Sequence, residues 1–318
     1  MFYNRWMEEN YYYLKDIPAN KIIVPGSRNS CAYKLKKKQN ISSKLLRLGM
    51  RLGNKMKYTK KVIDQWVLRQ DYNILEQLKM GIRYFDLRVA YSEKDQNIYV
   101  SHHKFALLSF HDAIIQFKKY LDDNKYELIY ITIRPDSNYN FNKDNAQTCI
   151  NILEGVLENY IIKPNLDNNS NDNKFPTYDQ LIKRGSERVF VFSEFDEISD
   201  YNNNGLYIID RSTCNIDETY NLNLKSIKKL TKNKNNKWDK NYNVISWTIN
   251  LDDITTFGDL LLHGNKTIDF RSITHAIQTK LYYTPIKIEN VSCFMTDFTT
   301  ERFISTIINM NLQKIKYM

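Results

Sequence analysis

The sequence predicts an α/β protein built as a (β/α)8 barrel of irregular outline. Eight short runs rich in β-branched and aromatic residues recur along the chain, and helical patterns fall between several of them. At 318 residues the chain is too long for one small sandwich and suits one large α/β domain or two ordinary ones. A doubly wound sheet fits the same alternation and stands as the alternative.

The elements follow in order. KIIV (21–24) is the first run; it ends in Pro25-Gly26 and opens into the polar turn Ser27-Arg28-Asn29-Ser30. DYNILEQLKMG (71–81) reads as a helix stopped by Gly81, and it leads into the second run, RYFDLRV (83–89). NIYVSH (97–102) is the third. The clearest helix comes next, with Phe110, Ala113, Ile114, Phe117 and Leu121 on one face and Ser109 with Asp112 as its cap. ELIYITIR (127–134), RVFVFSE (188–194), LYIID (206–210), NVISWTI (243–249) and VSCFMTDF (291–298) complete the strands. Asn- and Lys-rich stretches at 165–174 and 232–241 read as surface loops. With no repeat and no composition break, residues 1–318 read as a single barrel with a basic segment, 34–69, between the first two strands.

Hydrophobic content of 42%, with 13% aromatics, fills a substantial core. Cys31, Cys149, Cys214 and Cys293 lie far apart with no CxxC spacing, which reads as free thiols in a reducing compartment and not as a disulfide framework or zinc site. The N-terminal residues lack a basic stretch followed by an apolar run, and no apolar stretch reaches the ~20 residues of a membrane span. The expectation is a soluble, cytoplasmic protein, with a peripheral place on membranes left open. The net charge is +10, and segment 34–69 holds twelve Lys or Arg against the single acid Asp64, so the remainder is close to neutral. A basic stretch this concentrated attracts nucleic acid or anionic lipid headgroups, unless it is only the solvated face of a helix. Its interleaved apolar residues, as in KLLRLGMRLGNKMKY (44–58), fit an amphipathic helix, which favours a membrane surface or a partner protein over nucleic acid.

In a barrel, functional groups sit at the carboxyl ends of strands. Those ends offer Ser27-Arg28-Asn29, then Asp86 and Arg88 on one face, His102 and His103, Arg134 and Asp136, Glu194, and Asp297. Arginines and carboxylates converging on one mouth suit a phosphate ester, with the arginines holding the anion.

PGSRNSCAYKL (25–35) resembles the PGTH(D/N)SG(T/A)(Y/F)KL segment of the X domain of phosphatidylinositol-specific phospholipase C. QLKMGIRYFDLRV (77–89) resembles that family's Q-x-x-x-G-x-R-x-F/L-D-x-R motif. NIYVSHHKF (97–105), a helix and ELIYITI (127–133) resemble its third strand, catalytic histidine, helix and fourth strand, and VSCFMTDF resembles the strand that supplies a late aspartate. Between about 140 and 285 the resemblance is weak. It implies a distorted TIM barrel, the PLC-like phosphodiesterase fold. It also implies a chemistry in which the inositol 2-hydroxyl attacks phosphorus and expels diacylglycerol, leaving a cyclic phosphodiester. A first-strand histidine takes the hydroxyl proton and a third-strand histidine protonates the leaving oxygen, each worth roughly 10²–10⁴-fold in rate.

By resemblance Arg88 stands where the small bacterial-type enzymes place an arginine and the calcium-dependent ones an acidic metal ligand. No cofactor and no calcium are therefore expected. Asp86 orients its neighbours, and Asn29, Arg134 and Glu194 are candidate substrate contacts. The third-strand histidine is His102 or His103. The first-strand histidine is replaced by Arg28, which cannot act as a general base near neutral pH. Its partner aspartate, matched by Asp297, would then face Arg28 and form an ion pair. Three readings remain: a degenerate member that binds a phosphoinositide or inositol phosphate headgroup without ordinary turnover, an active phosphodiesterase using another base, and a basic barrel that binds nucleic acid through segment 34–69.

Overall fold

The computed structural model describes residues 3–34, 67–102, 105–136, 141–162, 175–193, 195, 208–214, 241–248, 270–283 and 291–315. Seven of its strands run parallel: β1 (Val24–Ser27), β2 (Tyr84–Ser92), β5 (Ile129–Pro135), β6 (Val189–Ser193), β7 (Ile208–Cys214), β8 (Asn241–Trp247) and β9 (Cys293–Thr296). Their order is β6-β5-β2-β1-β9-β8-β7. The first run of the sequence enters the sheet later than expected. Its strand continues through Pro25-Gly26 as VPGS instead of ending before them.

NIYVSH is corrected in a different way. As β3 (Asn97–His102) it pairs antiparallel with the distal half of β2, and β4 (Phe105–Ser109), which the sequence reading left unassigned, pairs antiparallel with β3. The reason lies in the connection. Four residues, 93–96, separate the two strands, whereas a parallel crossover needs about a dozen or more. The third run is thus one arm of a hairpin ribbon and not a stave of the barrel.

The parallel sheet curls. Tyr242 of β8 lies 4.7 Å from the ring of Tyr130 on β5 and 6.0 Å from that of Tyr84 on β2, although β1 and β9 intervene in the sheet order. Contact across that gap requires the two arms of the sheet to face each other, which rules out the doubly wound alternative. Among the described residues no pairing joins β6 to β7, so the ring is not closed there. The loop expectations at 165–174 and at 232–240 lie outside the described residues; Asn241 opens β8.

Register fixes what faces inward. Gly26 pairs with Tyr84 and with Met295, Tyr84 with Tyr130, and Tyr130 with Phe190. That row is an aromatic floor, with Tyr130 stacked on Phe190 at 5.0 Å. Outward-pointing Phe85 instead meets Phe117 edge-on at 4.8 Å. Phe117 belongs to α4 (Phe110–Asp123), whose buried residues are those the periodicity selects, with Tyr120 added, and whose cap Ser109 accepts from the Asp112 amide. The remaining helices are α1 (Trp6–Glu9), α2 (Tyr11–Leu14), α3 (Ile74–Met80), α5 (Lys143–Leu157), α6 (Tyr178–Lys183), α7 (Phe270–Tyr283) and α8 (Glu301–Ile315). Helix α3 carries a capping box from Asn73 and Glu76 and ends on Gly81 at φ 113°, as its sequence predicts.

The amino-terminal end of the barrel is sealed by α1. Trp6 Nε1 donates to the Gly81 carbonyl at 3.0 Å, and the Glu8 amide donates to Glu127 at 3.1 Å. Glu127 in turn takes Arg83 Nη2 at 2.6 Å and Nε at 2.8 Å, both side chains being fully buried. Arg83 also donates to the carbonyls of Leu78, Ile82 and Asn4, so one guanidinium joins β2, β5, α3 and the N-terminal segment. Removing one partner of a buried pair strands the other charge. Glu127→Gln is therefore expected to lower stability by about 3–5 kcal/mol, as read from urea unfolding. A loss within error of zero would mean that the pair is not what holds this end.

Candidate functional site

One layer above the aromatic floor the inward residues change character. Alternation places Arg28 just beyond β1, Asp86 on β2 and Asp297 just beyond β9 in one row, with Arg88 and Arg134, register partners of each other, in the next. The small residue at Gly26 makes this row possible. A Cβ there would stand 2.6 Å from Cys293 Sγ, 2.9 Å from Met295 Cβ and 3.0 Å from the Tyr84 ring.

The turn after β1 is stitched to β2. Ser30 Oγ donates to the Ser27 carbonyl at 2.8 Å and accepts from the Asp86 amide at 2.9 Å, and the Ser30 amide donates to the Asp86 carbonyl at 3.1 Å. Asn29 adopts φ 48°, a left-handed conformation that asparagine tolerates better than most residues. Its amide approaches Asp86 Oδ2 at 3.5 Å, while both polar atoms of its own side chain are buried without a hydrogen-bond partner among the described residues.

Arg134 Nη2 donates to Asp86 Oδ2 at 2.7 Å, a tight charge-assisted bond. Arg28 Nη1 lies 3.4 Å from Asp297 Oδ2, so the ion pair expected from the sequence is within reach. Asp297 has a second cation, Arg69 Nε at 3.8 Å. Burial pushes the Asp297 carboxyl above the usual carboxylate range, against the pull of Arg28, Arg69 and Arg88 and with a push from Asp86. Arg88 is lowered to about 10, by burial first and then by Arg134 and Arg28, with Asp86 and Asp136 offsetting them. It still carries its charge at neutral pH. Its Nε, like that of Arg134, is buried without a hydrogen-bond partner among the described residues. The mouth therefore holds buried N–H groups that no described residue satisfies, an arrangement suited to an anion.

His102 is buried at the end of β3, with Nδ1 2.8 Å from the Val67 carbonyl. A carbonyl can only accept, so Nδ1 carries the proton. Ser101 beside it donates to Asp136 at 2.9 Å, tying β3 to the end of β5. His103 and Glu194 lie outside the described residues, as do residues 35–66 of the basic segment.

Sequence reasoning missed the part played by residues 67–70. Val67 holds His102, Arg69 reaches Asp297, and the Gln70 side chain donates to the carbonyls of Arg28 at 2.8 Å and Thr296 at 3.2 Å. The four residues bridge β3 to the ends of β1 and β9. By sequence Arg69 belongs with the lysines of the basic segment. The signal was its company: it follows apolar Val67-Leu68 and precedes Gln70, not more lysines.

Fold and mouth together define a TIM-barrel-like α/β protein whose strand ends gather arginines and aspartates. Residues 59–184 match the model of the family described as phosphatidylinositol-specific phospholipase C, X domain. PI-PLC X domain-containing protein 1 of Danio rerio is 31% identical over 137 residues, covering 41% of this chain and 43% of that protein. PI-PLC X domain-containing protein 2 of Homo sapiens is 30% identical over 128 residues, covering 40% and 41%. The match spans less than half the length of these curated relatives. Among solved structures, phosphatidylinositol-specific phospholipase C from Listeria monocytogenes superposes with TM-score 0.56 at 14% identity, over 97% of this chain and 98% of that one. A Staphylococcus aureus phosphatidylinositol-specific phospholipase C studied for its membrane binding gives 0.60 at 17%, over 96% of each. The fold is thus the distorted TIM barrel of those enzymes. Asp86, Arg88, His102 and Arg134 fall within the family match, whereas Arg28 and Asp297 fall outside it.

Because Gly26 admits no Cβ, Gly26→Ala is expected to cost about 1–3 kcal/mol in urea unfolding through overpacking against Cys293, Met295 and Tyr84. Wild-type stability in that variant would show that β1 and its neighbours can draw apart freely.

Proposed function

We propose that the chain is a phosphatidylinositol-specific phospholipase C-like protein that holds the phosphate of a phosphoinositide headgroup in the barrel mouth. Arg28 stands in place of the family's first-strand histidine, so ordinary turnover is impaired. The observation that carries this reading is Arg88: a charged guanidinium whose buried Nε has no hydrogen-bond partner among the described residues, next to an Arg134 Nε in the same state. Asn29, whose side-chain amide is also unpartnered, sits beside them as a contact for a headgroup hydroxyl.

No calcium enters this reading. Asp86, the carboxylate on the second strand, is taken by Arg134 and backs the Arg88 charge. His102 is the candidate acid for a leaving oxygen, with His103 kept beside it. The neighbours are by name phospholipases acting on phosphatidylinositol, which supports a lipid headgroup at an anionic membrane surface as the ligand. The basic segment 34–69 would supply the attraction to such a surface. No described helix is long and apolar enough to cross a membrane. Nucleic acid is the less favoured partner, because among the described residues the arginine N–H groups without a partner lie in a buried mouth.

Arg88→Ala is expected to weaken binding of inositol 1-phosphate at least about tenfold, the loss of a charge-assisted contact of about 1.5–3 kcal/mol, measured by calorimetry. Unchanged affinity would place the ligand elsewhere. Arg28→His is expected to raise release of inositol phosphate from phosphatidylinositol vesicles by about 10²-fold or more, equally with and without a chelator. If neither protein releases product while both bind the vesicles, the chain is a binding module; if duplex DNA is bound and vesicles are not, the nucleic-acid reading replaces both.

A further inference from the structure

We infer that Asp297 itself is the proton acceptor of this site, taking the place that Arg28 cannot fill. The inference rests on the headgroup reading above and adds turnover to it. Arg28 and Arg69 stand 3.4 Å and 3.8 Å from Oδ2, looser than the ~2.7–2.9 Å of a tight charge-assisted bond. Its other oxygen, Oδ1, is buried with no hydrogen-bond partner among the described residues, and the side chain is 8% exposed. Asp86 is likewise buried, and differs in how tightly its Oδ2 is held. It holds Arg134 at 2.7 Å and lies against the Asn29 amide, and protonating it would break the tight pair.

The groups that face Asp297 come from four elements. Arg28 follows β1, Arg69 belongs to 67–70, Arg88 and Asp86 stand on β2, and the uncharged Gln278 of α7 donates to the Asp297 carbonyl at 2.9 Å. Burial outweighs the three arginines and lifts the carboxyl, which makes it a better base than a surface aspartate. The step balances without a cofactor. The O–H bond of the attacking headgroup hydroxyl breaks and its proton passes to Oδ1, the oxygen–phosphorus bond forms, and the bond from phosphorus to the glycerol oxygen breaks. His102, as the imidazolium, gives its Nε2 proton to that oxygen while Nδ1–H stays on the Val67 carbonyl, and the site resets when Asp297 releases its proton to solvent and His102 takes one up.

The test uses the full chain on vesicles of phosphatidylinositol in phosphatidylcholine. Single-turnover release of inositol phosphate is followed against pH, and vesicle binding is measured in parallel. A base works only when deprotonated, so the parent's rate should fall as pH drops through the Asp297 titration. Asp297→Asn should lose at least about 100-fold in rate and the acid limb with it, while still binding vesicles. Arg28→Ala separates acceptor from anchor. Removing a cation that holds the carboxyl down should keep the limb and move it to higher pH. If Asp297 only positions Arg28, the two variants instead share one loss and one profile. The inference is overturned by a parent that binds vesicles without turnover, by Asp297→Asn activity near the parent's, or by an Arg28→Ala limb that disappears or does not move. Should Asp297→Asn not fold, the Arg28→Ala limb decides. Absence of vesicle binding in the parent overturns the headgroup reading instead, and the two failures are told apart by the binding measurement.

Discussion

Register among β1, β2 and β9 is the constraint on which the mouth depends. Gly26 opposite Tyr84 and Met295 sets Arg28, Asp86 and Asp297 in one inward row. A slip of one residue would turn that row into the surrounding helices, where no charge could be satisfied. The constraint is steric at its origin. Tyr84, Cys293 and Met295 fill the space a side chain at position 26 would need. The backbone of β1 is thereby held close to both neighbours, and the turn that follows starts from a fixed point. Ser30 then locks that turn to the Asp86 backbone.

The opposite end of the barrel makes the row rigid. Tyr84, Tyr130 and Tyr242 stack across the interior. Below them Arg83 and Glu127 bind the N-terminal segment to β2 and β5. A buried pair of this kind adds little stability over an apolar one, yet it penalises any arrangement that separates its partners. Guanidinium groups in the mouth thus rest on a floor that cannot shift to relieve their mutual repulsion. Burial first, and then repulsion from Arg134 and Arg28, keeps Arg88 below the usual guanidinium range, a cost that an anion in the mouth would relieve.

Much of this was legible in the sequence because side-chain parity in a strand is simple. The alternation in RYFDLRV puts Asp86 and Arg88 on one face, and the turn after the first strand announces Arg28 and Asn29. What parity cannot tell is strand direction. NIYVSH alternates as a barrel strand would, and only the four-residue connection before it, with Gln96 at φ 49°, marks a hairpin. Pro25-Gly26 looked like a strand end because both residues usually interrupt pairing. Here the proline still offers a carbonyl to the Arg83 amide, and the glycine is needed for closeness. Arg69 was hidden for another reason. It joins Asp297 across more than two hundred residues of chain, a contact that no local pattern encodes.

Charge balance links the arginine at position 28 to the chemistry proposed for Asp297. Among the described residues the mouth gathers Arg28, Arg69, Arg88 and Arg134 against Asp86, Asp136 and Asp297, an excess of one positive charge. A phosphodiester carries one negative charge and would neutralise it. An imidazole at position 28 would be neutral while acting as base and would become cationic only as the hydroxyl loses its proton. With arginine the cation is present from the start and is masked by the Asp297 carboxylate. When that carboxylate takes the proton, Arg28 and Arg69 lose their counter-charge at the moment phosphorus gains negative charge. The field in the mouth then grows where the transition state needs it and not in the ground state, the condition under which an interaction accelerates a reaction instead of only tightening binding.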